Sequence, residues 1–164
     1  MITHYYQHEF CCGHQPGPNH PESSDRLRSI AKRLNDTRFE SLVRFDSPQA
    51  KLEMINLMHD PHYVDNILDA VPERDFVHLD ADTILSPGSG EAILRAVGGV
   101  CAAIDDVLNG KANNAFCGMR PPGHHAEISQ SMGFCIFNNI AIGAKYAQKF
   151  HGLDKVAVID FDVH

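Results

Sequence analysis

The stretch KVAVIDFDVH at 155–164 places two carboxylates and an imidazole at alternate positions, Asp160, Asp162 and His164. In an extended strand these three face one side, while Ile159, Phe161 and Val163 face the other. Asp oxygen and His nitrogen are both good ligands for zinc, so the polar face could hold a divalent cation. A strand end whose polar residues simply meet solvent has the same short pattern, and the stretch alone fits both readings.

A second group lies in GMRPPGHHAEISQSMGFCIFNN at 118–139. Two prolines and a glycine precede the adjacent histidines His124 and His125, which marks a structured loop. A neutral imidazole donates from one nitrogen and accepts on the other, so neighbouring histidines can serve as two separate proton-transfer groups. A bare histidine pair is common on surfaces. This one follows a predicted strand and falls on the same sheet edge as the carboxylates, so the two signals reinforce each other.

The elements that must position these groups follow from periodicity. Strands are expected near 1–6, 52–57, 112–117 and 155–161, with helical segments between them, an alternation that indicates α/β architecture with a parallel sheet. A first helix should start after Ser23 or Ser24 and present Leu27, Ile30, Ala31 and Leu34 on one face. A second should run from Pro61 to Ala70 and another from Asn139 to Phe150. The strongest helical signal spans 86–110, where Ile93, Ala96, Val97, Val100, Ile104, Val107 and Leu108 form one stripe and Asn109-Gly110 closes it. Gly98-Gly99 within it should permit close packing.

Composition narrows the class. The chain has 164 residues, 43% of them hydrophobic, which suits one compact unit. Its net charge of −7 carries no basic patch for nucleic acid and suits a cationic partner better. No apolar run approaches the ~18 residues of a membrane span, and MITHYYQHEF is no signal peptide. The five cysteines form no CxxC pair; free thiols in a reducing compartment are expected, in the cytoplasm or, in a eukaryote, the nucleus. Cys135 should pack as a small hydrophobe. His14, His20, His59, His62 and His78 are read as surface or structural.

Taken together, RPPGHHAE at 120–127, GFCIFNN at 133–139 and VIDFDVH at 158–164 resemble the zinc-dependent histone deacetylase family, in its class II, bacterial and acetylpolyamine amidohydrolase-like branch. HPESSDRL at 20–27, HDPHYVDNI at 59–67 and LDADTILSPGSGEA at 79–92 extend the likeness in the same order. The resemblance implies a three-layer arginase/deacetylase-like fold around a central parallel sheet. It implies Asp162 and His164 as ligands of a zinc or iron(II) ion, with a structural potassium ion near the same strand. It further implies His125 as general base and His124 as its neighbour held by Asp160. Gly133 and Phe134 would line an acyl-lysine tunnel, Asp82 would grip substrate at the rim, and Arg26 would lie in an internal cavity. The substrate would be an acetyl-lysine protein or peptide, or an acetylpolyamine.

The family's third metal-ligating aspartate, the carboxylate of its second histidine, a second tunnel phenylalanine and an oxyanion-stabilising tyrosine have no counterpart here. Residues 1–164 are therefore expected to form the N-terminal part of a single deacetylase domain, cut after a central strand and doubtful as an enzyme alone. An oligomeric partner or a further C-terminal part would complete the sheet. The alternatives are a catalytically silent half-domain with a binding role, and an arginase-like metallohydrolase with binuclear manganese.

Overall fold

The computed structural model describes residues 1–163. The chain opens with strand β1 (Thr3–Gln7), passes through a single 3-10 turn, and forms helix α1 (Asp25–Leu34). Ser24 is its N-cap residue, though the Ser24 hydroxyl accepts from the Gln15 amide; the Ser23 hydroxyl accepts the Asp25 N–H at 3.2 Å. Strand β2 (Val43–Asp46) and the short helix α2 (Leu52–Ile55) follow. Helix α3 (Pro61–Asp69) is capped by Asp60, whose carboxylate accepts from the His62 and Tyr63 amides. A two-residue antiparallel pair, β3 (Val77–His78) and β4 (Ile84–Leu85), leads into the long helix α4 (Ser89–Leu108). Strand β5 (Asn114–Cys117) and helix α5 (Asn139–His151) complete the regular structure.

Strands β2, β1 and β5 pair in that order, all parallel. Because β1 lies in the middle, His4, Tyr5 and Tyr6 are all buried. Parallel pairing also brings the carboxyl ends of the strands to one edge. There the Gly118 N–H donates to the Tyr6 carbonyl and the Ser47 N–H to the Gln7 carbonyl, at 2.9 and 2.8 Å. The loops leaving β1 and β5 consequently start side by side, the place where parallel α/β sheets assemble sites.

The core joins Ile55, Val64, Ile67, Leu85, Ile93, Val97, Ile136, Phe137 and Ile142. Helix α4 supplies its axis and packs on β1, β5 and α5. Gly98 fulfils the expected close approach: a Cβ there would stand 2.0 Å from the Pro48 carbonyl oxygen. At the far end of α4, the buried Asp106 accepts from the Tyr6 hydroxyl and bonds His4 Nδ1 at 2.8 Å, fastening the helix to β1.

Two expected strands need correction. Residues 52–57 are not a strand. Leu52–Ile55 is helical and the turn continues through the His59 amide, which donates to the Ile55 carbonyl. One helical turn lets the adjacent Met54 and Ile55 both pack on the core, which the alternating faces of a strand would not allow. The strand in this region is β2, whose VRFD alternation went unread because all four residues are exposed. Residues 155–161 are also not a ladder strand. They run past β5 along a groove of about 480 Å³ lined by Ala115, Phe116, Cys117, Val156, Ala157 and Val158. With no ladder among the described residues, Ile159 and Phe161 are exposed rather than buried. All five cysteines are free thiols, and no helix among the described residues is long and apolar enough to cross a membrane.

Candidate active site

The loop after β5 carries the tandem histidines. His124 Nδ1 and Asp160 Oδ2 stand 2.7 Å apart, so the terminal segment reaches the loop despite lacking a ladder. The hydrogen bond from His124 holds the Asp160 carboxyl below the usual carboxylate range, helped by the Asp162 N–H on its other oxygen at 3.1 Å. The His125 ring lies beside that of His124, centroids 4.1 Å apart. A hollow of about 350 Å³ opens at this point, lined by Gly123, His124, Asn139, Asp160 and Asp162 among others.

Asn138 holds the loop in place. Its side-chain oxygen caps α5 by accepting the Ala141 N–H, and its amide nitrogen donates to the carbonyls of His124 and Ala126. Its own backbone N–H donates to His59 Nε2 at 2.8 Å, so the His59 proton is on Nδ1, facing the Ile128 carbonyl. Burial pushes the His59 imidazole below its ordinary pKa, in keeping with a neutral structural role.

The far wall is a tight turn. The Cys135 N–H donates to the Met132 carbonyl at 2.9 Å, and the residues between, Gly133 and Phe134, have φ of +55° and +68°. Two positive φ angles in succession define a type I′ turn. Glycine adopts the first without penalty, whereas Phe134 costs about 1–2 kcal/mol there. Gly133 faces the tandem pair so closely that a Cβ would lie 2.7 Å from His125 Cδ2. Cys135 is fully buried, and burial pushes its thiol up to about 11. Asp82 stands exposed on the loop joining β3 to β4, its backbone carbonyl bonded by His20 Nε2 at 3.0 Å.

The expected residues are thus partly gathered. His124, His125, Asp160 and Gly133 meet, and Phe134 adjoins His20. Arg26 is exposed on the first turn of α1, beside the buried Leu27. His164 lies outside the described residues. Among those described, no three His, Cys, Asp or Glu side chains converge as a cation site.

Comparison with known proteins decides the relationship, since residues 20–164 match the model of the histone deacetylase domain. The chain belongs to the histone deacetylase family. A histone deacetylase-like amidohydrolase of Pseudomonas aeruginosa is 33% identical over 180 residues, covering 99% of this chain and 47% of that protein. A probable deacetylase of Archaeoglobus fulgidus is 35% identical over 167 residues, covering all of this chain and 46% of the relative. The crystal structure of the HDA15 HD domain superposes with a TM-score of 0.84 at 29% identity, covering 90% of this chain and 43% of that one. The α/β fold with its parallel sheet is therefore that of a histone deacetylase domain, and the chain spans under half the length of these histone deacetylase relatives.

Beneath the tandem-histidine loop of this family member lies a buried ion pair that sequence reasoning missed. Arg120 Nε donates to Glu22 Oε1 at 2.6 Å, Nη2 donates to Oε2, and Nη1 to the Cys11 carbonyl at 3.0 Å. Both side chains are almost fully buried. Nothing local in the HPE and RPPGHH motifs marks these two residues as partners. Beside them His14 bonds the Ser89 hydroxyl at 2.7 Å, and burial pushes its imidazole down to about 4.

His14 gives a pH prediction. The unfolded chain takes up a proton near pH ~6.5, while the folded site resists it, so between pH ~6.5 and ~4 the unfolded state binds more protons. Stability present at neutral pH is lost as pH falls through that window, by about 3 kcal/mol in total. Urea unfolding at pH 7, 6 and 5 should show progressively lower midpoints, with a flatter profile in His14→Gln. A flat wild-type profile would contradict a buried neutral His14.

Proposed function

We propose that this chain contributes the tandem-histidine side of a metal-dependent amidohydrolase site that removes acetyl groups from lysine side chains or polyamines. The observation that carries the reading is the 2.7 Å contact between His124 Nδ1 and Asp160, with His125 beside it. Asp160 fixes which His124 nitrogen carries hydrogen. That leaves His125, whose ring borders the Gly133 turn, as the group able to accept a proton from water and return it to the departing amine. Gly133 and Phe134 form one wall for the acyl-lysine chain, and the exposed Asp82 carboxylate suits a cationic or amide-bearing substrate at the rim.

The donor set supports a metal. Asp162 lies close enough for its charge to act on the Cys135 thiol behind the turn. A carboxylate and an imidazole two residues apart, Asp162 and His164, suit zinc or iron(II). When bound, such an ion supplies Lewis-acid polarisation of the amide and a water of lowered pKa.

The test is turnover of an acetyl-lysine peptide by a complete deacetylase domain that contains this chain. His125→Ala should lower kcat by about 10²–10⁴, and chelation should abolish activity until zinc or iron(II) is restored. Unchanged turnover in His125→Ala, or full activity in chelator, would refute the reading.

A further inference from the structure

Phe134 sits in a backbone conformation that a phenylalanine does not hold unaided, yet it is the residue assigned to the substrate wall. Two contacts keep it there, one from Thr83 beside Asp82 and one from His20, which itself bonds the Asp82 carbonyl. The Phe134 N–H donates to Thr83 Oγ1 at 3.1 Å. Thr83 is fully buried. Asp80 Oδ1 accepts the N–H groups of Asp82 and Thr83, at 2.8 and 2.6 Å, and the Leu79 N–H closes on the Thr83 carbonyl at 2.9 Å.

The second contact is His20. Its Nδ1 accepts the Glu22 N–H at 3.1 Å, so the ring hydrogen is on Nε2, and Nε2 donates to the Asp82 carbonyl at 3.0 Å. The tautomer is set by these partners. The same ring meets Phe134 edge-on, centroids 4.9 Å apart with planes at 74°, a favourable aromatic geometry. On the other side of the turn Gly133 presses on the His125 ring. Asp82, His20, Thr83, Phe134, Gly133 and His125 therefore form one continuous train of contacts from rim to tandem pair.

We propose that Thr83 and His20 are positioning residues that lock the Phe134 wall to the Asp82 rim loop, so that both ends of the substrate channel move as a single body. The inference rests on the acyl-lysine reading only for what the wall contacts; the mechanical link stands on the contacts themselves.

Amide hydrogen exchange at Phe134 tests it without reference to catalysis. Thr83→Val keeps the volume and removes the acceptor, and should raise Phe134 exchange about tenfold, the factor that 1.4 kcal/mol gives, while Ile93 and Val97 in α4 stay protected as evidence of an intact fold. Thr83→Ser restores the hydroxyl and should restore protection. His20→Ala, a change on a partly exposed loop, should raise Phe134 exchange without touching its acceptor. In the peptide assay, Thr83→Val should raise KM more than it lowers kcat, with Thr83→Ser again restoring it. Unchanged Phe134 exchange in both Thr83→Val and His20→Ala would overturn the proposal. Exchange that rises as expected in a protein that deacetylates nothing would uphold the link and refute only the proposed activity.

Discussion

Arg120→Ala is expected to lower the unfolding free energy by about 3–5 kcal/mol, the usual consequence of stranding one member of a buried ion pair. The guanidinium fills three roles at once, binding both oxygens of Glu22 and the Cys11 carbonyl. Without it, the Glu22 carboxylate, whose side chain is 1% exposed, is left facing the neutral His14 Nε2 at 3.6 Å, with no cation paired to it among the described residues. The cost comes from leaving that charge unpaired more than from the strength of the pair. Replacing both residues together by methionine should consequently cost much less than either single change. His14 supplies a second readout, because Glu22 pulls its pKa up while Arg120 and burial push it down. Its imidazole should titrate at higher pH in Arg120→Ala. Urea denaturation of the two single variants and the double, with a proton NMR titration of His14, checks both statements. A single-variant loss below about 1 kcal/mol, the range of an exposed pair, would show that the pair is solvated.

Gly98→Ala should be the other severe change, with a sign opposite to helix propensity. Alanine in a helix interior is normally favoured over glycine by about 1 kcal/mol. Here the added methyl would meet the Pro48 carbonyl oxygen at 2.0 Å, the Ala50 nitrogen at 2.7 Å and the Gln49 carbonyl carbon at 2.8 Å. All three are backbone atoms, so no rotamer change relieves them. Helix α4 would have to move away from the segment after β2, breaking the bond from the Ala50 N–H to the Leu94 carbonyl. Overpacking of this kind costs about 1–3 kcal/mol and more where nothing can yield, so a loss of about 3 kcal/mol is expected. Gly143→Ala is the control, since its methyl would meet only the Val100 and Ile104 side chains, which can shift. A thermal melt in which Gly98→Ala matches or exceeds the wild type would show that the two segments are not in contact.

Sequence pattern revealed what depends on neighbours in the chain. The stripe of Ile93, Val97 and Ile104 predicted α4, and the segment from Pro61 to Ala70 predicted α3, because helical periodicity is local. Strand β2 was hidden by its exposure, and 52–57 was misread because a run rich in Leu, Met and Ile suits a strand as well as a helical turn. The site shows the same division. The tandem histidines and the DxDxH stretch were legible as chemistry, and the His124–Asp160 contact unites them. Glu22 and Arg120, 98 residues apart, and Thr83 and Phe134, 51 apart, were not legible, because nothing at either position announces a partner so distant.

The parallel pairing of β1 with β5 has a consequence for how the molecule folds. Residues 2 and 113 are joined by a hydrogen bond across 111 positions, and the two loops of the site cannot meet until that closure is made. Helices α3 and α4 can form from near neighbours, whereas this pairing must first overcome the entropy of a long loop. The tandem-histidine pocket is accordingly among the last features to appear and shares its cooperative transition with the sheet. Loss of the β1–β5 ladder and loss of the pocket should be one event, seen at one denaturant midpoint.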